Sequence, residues 1–499
     1  MRIEEDAAYV LRAFASLAAI PRPSKHEKAV SDHLKHWAQT HGLAVIQDAC
    51  NNIIIEKDAA PGCENAPRAI LHAHMDMVCV SDEHIVGKDY DPVTHPVRIR
   101  ENPRDNVISA EGTSLGADNG IGVAMIQYIF QARGLRHGPL RAVITTDEEA
   151  GMNGAHNLDA AHLKAAYLIN TDWESCGSLC NGSADINVYR FSRPLGLREP
   201  RLESARKLVI SGLAGGHSGL NINMGRANAI CAAAHILAAI KQAGIDFELA
   251  DFGGGTASNA IPAKAEARIC LDAASTERAV RTVEETAEKF RLAYGEREKN
   301  ALITFSACPA PQYVLSAADA GALLGLATAT RNGLHAMSRT IRDLVESSCN
   351  LGLVRIQGGS AIVEIAARSS VRWHSEDLRH CCEALAALAG FAFDVAATAP
   401  AWPAKPDSLL AEYACAAFRE LTGKTMTIDQ VHAGLECGIF ALKNPELDMI
   451  SIGPRIDNAH STSETLHLDG LSDTLRCILR TLEKIALTPG DPPFSLSER

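Results

Sequence analysis

The sequence predicts an α/β fold, an open sheet flanked by helices, in a chain long enough for two domains. Three observations carry that expectation. The chain has 499 residues, more than one hydrophobic core usually organises. Short apolar runs recur, each closed by polar or turn residues, as buried strands require. A segment with helical spacing lies between them, so strand and helix alternate.

The first element read is a helix. Ser24 and Glu27 have the spacing of a capping box, Val30, Leu34 and Trp37 follow at helical spacing, and Gly42 stops the run. Residues 52–55 and 69–73 are the first two strands. Residues 120–130 carry Ile121, Ala124, Met125 and Tyr128 on one helical face. Residues 142–146 and 166–169 return to strand, and a further apolar run covers 449–452.

Composition narrows the class of function. A net charge of −12 argues against a phosphate backbone as the main partner, so no nucleic acid is expected. Residues 1–6 are acidic and lack the basic start and apolar run of a signal peptide. The apolar stretches 230–240 and 384–393 fall short of the roughly 20 residues that span a bilayer, so no membrane segment is expected. The 14 cysteines show no regular framework, which fits reduced thiols and a cytoplasmic location. The spacing of Cys176 and Cys180 is read as structural.

The chemistry sits just past the strands. His74-Met75-Asp76 follows 69–73, Asp147-Glu148-Glu149 follows 142–146, and Thr171-Asp172 follows 166–169. Ligands of open α/β sheets bind outside the carboxyl ends of the strands, so the three clusters should share one rim. Asp118 joins them from the turn 114–120 that precedes the helix, and His460 from a turn-rich segment after 449–452. Taken singly, a strand-end histidine more often packs or caps, and an acidic pair usually marks a solvated loop. Their coincidence after successive buried strands is what points to a metal site.

Two imidazoles and four or five carboxylates, without a thiolate set, suit zinc, with cobalt or manganese as alternatives. A carboxylate can bridge two ions, and two metals about 3.5–4 Å apart generate hydroxide at neutral pH and stabilise charge during attack. Hydrolysis is the chemistry this predicts. Of the adjacent Glu148 and Glu149, one can bind metal while the other serves as general base. Asp76 is placed to orient His74.

The series His74-Met75-Asp76, Asp118, Glu148-Glu149, Asp172 and His460 resembles the di-zinc aminopeptidases, carboxypeptidases and aminoacylases. Within that family the chain is most similar to the aminoacyl-histidine (β-alanyl-histidine, carnosine-type) dipeptidases. The resemblance rests also on Ile20-Pro21-Arg22-Pro23-Ser24, Gly215-Gly216-His217-Ser218-Gly219, Gly254-Gly255-Thr256 with Asn259-Ala260-Ile261-Pro262, His432-Ala433-Gly434-Leu435-Glu436-Cys437-Gly438 and Ser451-Ile452-Gly453-Pro454.

The resemblance implies two zinc ions per subunit, one held by His74 and Asp172, the other by Glu149 and His460, with Asp118 bridging. It implies Glu148 as the base, with Asp76 as helper of His74. It implies a catalytic α/β domain with the mixed sheet of zinc-dependent exopeptidases, residues 1–185 and 395–499, interrupted by an α+β lid and dimerisation domain, residues 186–394. The stretch Trp402-Pro403 to Lys405-Pro406 would be the re-entry linker. In the lid, His217 would stabilise the oxyanion, from its own or the partner subunit. Asn259 and Arg368 would grip substrate polar groups, with Arg372 one helical turn away as the alternative arginine. The implied activity is hydrolysis of small dipeptides with an Xaa-His preference by a homodimer. Deacylation of N-acyl amino acids is the alternative within the family. A non-catalytic metal- or peptide-binding homologue is the alternative outside it, and Glu148 speaks against that, since pure binding needs no base beside the ligands.

Overall fold

The computed structural model describes residues 3–339 and 341–487. They form two compact units. The first comprises the chain up to Ser183, Trp402–Gln430 and the chain from Leu435 onward; the second comprises Ala184–Ala401 with Val431–Gly434. Residues 395–401 thus lie in the second unit, because Ala392–Ala399 is a strand at the edge of its sheet.

In the first unit an eight-stranded sheet runs in the order Ala44–Gln47, Ile53–Lys57, Leu140–Thr145, Ala69–His74, Tyr167–Asn170, Asp448–Ser451, Ser178–Ser183, Thr427–Val431. Four central strands, from Leu140–Thr145 to Asp448–Ser451, are parallel, while Ile53–Lys57 and Ser178–Ser183 join them antiparallel. The sheet is therefore mixed. Every residue of the four central strands is buried, which explains why they read as largely apolar runs rather than as alternating ones. The predicted strands and the predicted helix are present, the helix as Ala117–Gln131. Ile3–Ala18 is a further helix, which buries Val10, Phe14 and Leu17 in the same core.

One local expectation is corrected. The helix Lys28–Thr40 buries Val30 and Leu34 as expected and Ala38 besides, with Trp37 half-buried against the same core, but its N-cap is Glu27, and no side chain caps it. Ser24 Oγ donates instead to Asp76 Oδ2 (2.8 Å), and Glu27 Oε1 accepts from the amide of Asp147 (2.9 Å). The two polar groups that would have formed the capping box are bonded to the rim of the sheet.

A small second sheet in this unit, ordered Ile456–Asp457, Thr465–His467, Val107–Ala110, Ile99–Asn102, carries the turn that bears His460. The second unit is an antiparallel sheet of nine strands whose core it shares with the helices Ala229–Gln242, Ala317–Ala329 and Arg372–Ala389. Ile230, Leu237, Leu323 and Leu378 pack in one cluster with Leu208, Ile269, Leu351 and Ile365. This is an α+β arrangement. All 14 cysteines are free thiols, and no helix of the described residues is long and apolar enough to cross a membrane.

Candidate metal centre

The parallel register delivers the rim. His74 pairs with Thr145 and His72 with Asn170, so the chain leaves three neighbouring strands at one level, into Met75-Asp76, Thr146-Asp147-Glu148-Glu149 and Thr171-Asp172. The exits are bonded to one another. The amide of Met75 donates to Thr145 O (2.8 Å) and that of Thr171 to His72 O (2.9 Å).

His74 is the last residue of its strand and almost fully buried. Its Nδ1 lies 3.2 Å from the main-chain oxygen of Asp76. A carbonyl oxygen only accepts, so Nδ1 carries a proton, and Nε2 is the ring nitrogen left to face the cluster. That Nε2 is 3.1 Å from Asp118 Oδ1 and 3.1 Å from Asp172 Oδ1. The other oxygen of Asp118, Oδ2, is 3.1 Å from His460 Nε2, and Glu149 Oε1 is 2.8 Å from the same nitrogen. Asp118 thus stands between two imidazoles, each of which also faces a second carboxylate. His460 and Asp147 both adopt left-handed backbone, φ 60° and 58°, as non-glycine residues at functional sites often do.

The donor set fits a metal. His74, Asp118 and Glu149 present ligand atoms that all lie within 4.8 Å of one another. Glu149 Oε1 is buried and has no hydrogen-bond partner among the described residues, although His460 Nε2 is at contact distance. An orphaned carboxylate oxygen in contact with a ring nitrogen is what a cation between them would resolve. The electrostatics agree. Burial and the neighbouring charge of Asp118 push Asp172 up to about 7, and burial together with Asp172, Glu149 and Glu436 raises Glu148 well above the carboxylate range. The adjacent carboxylates of Asp118 and Glu149 push His460 up to about 11. The cluster holds more carboxylate charge than its own imidazoles satisfy.

Asp76 does more than sit beside His74. Its Oδ1 and Oδ2 accept from the amides of Glu148 (3.0 Å) and Glu149 (3.2 Å), so one carboxylate positions both glutamates. Sequence reasoning missed Asn119, whose Nδ2 donates to Asp172 Oδ1 (2.7 Å). It also missed the layer beneath the rim. Asn170 Nδ2 donates to His72 Nδ1 (2.8 Å), which leaves the His72 proton on Nε2, 3.0 Å from the buried Glu436 Oε2; Thr145 Oγ1 donates to that same oxygen (2.6 Å). Glu436 lies in a quoted motif, but no spacing links it to His72.

His217, Asn259 and Arg368 belong to the second unit. The amides of Gly219 and Leu220 both donate to His217 Nδ1 (3.2 Å each), which fixes a neutral ring with its proton on Nε2. The His217 loop bonds to the Asn259 segment: Ser218 N donates to Asn259 O (2.8 Å), and His217 forms a bridge with Ala260. Asn350, also missed, donates to Ser258 O and Ala260 O (2.9 Å each) and so shapes that segment. Of the two arginines, Arg372 is exposed and paired with Glu376 (2.8 Å). Arg368 is buried, its Nε and Nη1 have no hydrogen-bond partner among the described residues, and burial pulls it down to about 10.

Comparison with known proteins bears on these geometries. The chain is 33% identical over 479 residues to the cytosol non-specific dipeptidase of Escherichia coli (strain K12), a match covering 95% of this chain and 96% of that protein. The crystal structure of aminoacylhistidine dipeptidase from Vibrio alginolyticus superposes with a TM-score of 0.82 at 31% identity, over 96% of both chains. Human carnosine dipeptidase 1, at 12% identity and a TM-score of 0.52, shares the fold. Residues 70–484 match the model of peptidase family M20/M25/M40. The chain belongs to that family and is a peptide-bond hydrolase.

Proposed function

We propose that the protein is a zinc-dependent dipeptidase that hydrolyses small dipeptides, with a preference for Xaa-His, in the cytoplasm and as a homodimer. The observation that carries this reading is the position of Asp118 between His74 and His460, each imidazole also facing its own second carboxylate, Asp172 or Glu149. His74 and Asp172 would hold one ion, Glu149 and His460 the other, and Asp118 both. When bound, such a pair polarises the scissile carbonyl and makes water acidic enough to attack at neutral pH.

The chain's own residues supply the remainder. Glu148 takes the proton of the attacking water and returns it to the leaving amine. Its raised proton affinity in a buried acidic setting suits a group that must hold that proton between the two steps. Asp76 holds the backbone of Glu148 and Glu149 and orients His74. His217 offers an Nε2–H donor to the oxyanion. Arg368, buried with two unpartnered nitrogens, pairs with the substrate carboxylate, and Asn259 adds a polar contact. The Xaa-His preference rests on likeness to the Vibrio enzyme; the Escherichia coli relative is named non-specific.

The test is hydrolysis of carnosine, Gly-His and Ala-Ala against N-acetyl amino acids by purified protein, before and after chelation and zinc return. Zinc-restorable cleavage led by the histidine dipeptides is expected. Cleavage of acetylated substrates alone would make the protein a deacylase, and peptide binding without zinc-dependent turnover would remove the enzymatic reading.

A further inference from the structure

Glu464 lies four residues after His460 and is almost fully buried. Its carboxylate accepts four successive amides of the turn that leads into the helix Ala117–Gln131. Oε2 takes those of Leu115 (2.7 Å) and Gly116 (2.9 Å); Oε1 takes those of Ala117 (2.8 Å) and Asp118 (3.3 Å). Those of Gly116, Ala117 and Asp118 belong to the helix start, whose first amides have no partner within the helix, and an acceptor from a remote part of the chain satisfies them. The same turn is held through its carbonyl by Arg22, buried like Glu464, whose Nη2 donates to Gly116 O (2.6 Å) and whose Nη1 donates to Met75 O (2.9 Å) and Asp76 O (3.2 Å). The fit is close: Gly116 has φ +69°, and a Cβ there would come within 2.6 Å of Arg22 Nη2 and of Met77 Sδ.

We infer that Glu464 is a positioning residue which sets the separation of Asp118 and His460, with Arg22 tying the same turn to the exit of the strand that bears His74. This rests on the reading of Asp118 and His460 as metal ligands. His460 and Glu464 share one short segment between the strands Ile456–Asp457 and Thr465–His467. Anchoring Glu464 on the Asp118 backbone therefore fixes where His460 can stand relative to the Asp118 carboxylate. The arrangement needs two acceptor oxygens. A glutamine keeps one and turns an NH2 group toward amides that can only donate.

The experiment measures zinc affinity by chelator competition for the wild type, Glu464→Gln and Glu248→Gln, together with thermal unfolding of each protein stripped of metal. Glu248 is a control of like kind in the second unit, where it accepts the amides of Arg201 (2.8 Å) and Leu202 (3.1 Å). Glu464→Gln is expected to weaken zinc binding by about 10- to 100-fold, with kcat recovered by excess zinc and KM little changed. Its metal-free unfolding temperature should fall no further than that of Glu248→Gln. Should Glu464→Gln give no folded protein, Glu464→Asp, which keeps both oxygens on a shorter stem, is read the same way. Zinc affinity within twofold of wild type, or equal weakening in Glu248→Gln, would overturn the inference alone. A wild-type protein that binds no zinc would overturn the metal reading and the inference with it.

Discussion

At the scale of single residues, the two neighbouring glutamates carry different duties. Glu149 approaches His460, whereas Glu148 lies among Asp172, Glu149 and Glu436, where burial and like charge raise its proton affinity. Glu148→Gln keeps shape and removes the base, so kcat should fall by about 10²–10⁴-fold while zinc content stays at the wild-type level. Metal analysis beside turnover checks this. Lost metal would make Glu148 a ligand, and retained turnover would remove it as the base. The ligand-type residues were legible in the sequence because each follows a buried strand or opens a helix. Their supports were not. Ser24 and Glu27 matched a local pattern, S-x-x-E, yet are bonded to Asp76 and to Asp147 N. A spacing rule reports what a side chain can reach locally, and a tertiary partner outcompetes it.

At the scale of elements, strands buried on both faces were easy to read and strands buried on one were not. Residues 69–74 and 140–145 are buried throughout, and their apolar runs show it. In the second unit, Ser204–Ser211 alternates half-buried and buried positions with charged Arg206 and Lys207 among them. Bulges between Leu249 and Asp251 and between Leu351 and Leu353 break the period further along the sheet. The segment Val431–Gly434 belongs to this unit although the chain on both sides of it belongs to the first, and no composition shift marks it. Its His432 is buried, with Nε2 2.7 Å from Ser348 Oγ. Burial, then the charge of Arg368, pulls its pKa down to about 3. The unfolded value is about 6.5, so between these limits the unfolded chain binds more protons than the folded one. The folded-state advantage is complete above pH 6.5 and is lost as pH falls toward 3, at up to about 1.4 kcal/mol per unit. His432→Gln should flatten the acid limb of the stability profile between about pH 6 and 4. Urea midpoints across that range decide the matter, and an unchanged slope would show that His432 is not the group titrating.

At the scale of the whole molecule, each unit has its own hydrophobic core, one built on the mixed sheet and one on the antiparallel sheet. All five residues proposed to hold metal, His74, Asp118, Glu149, Asp172 and His460, lie in the first unit. A ligand that binds only the folded form stabilises by RT ln(1 + [L]/Kd), about 4 kcal/mol at a thousandfold excess over Kd. For a domain of this size that corresponds to a shift of about 10 °C. The second unit contributes none of those ligands and gains nothing directly. Calorimetry with zinc and then with chelator should therefore show two transitions, of which only one moves, downward, when the metal is removed. The moving transition is assigned by repeating the scan with Asp118→Asn, which should start from the chelated position and stay there. If both transitions moved together, metal binding would be coupled to the second unit as well. If neither moved, the carboxylates and imidazoles at the rim would be holding one another rather than a metal.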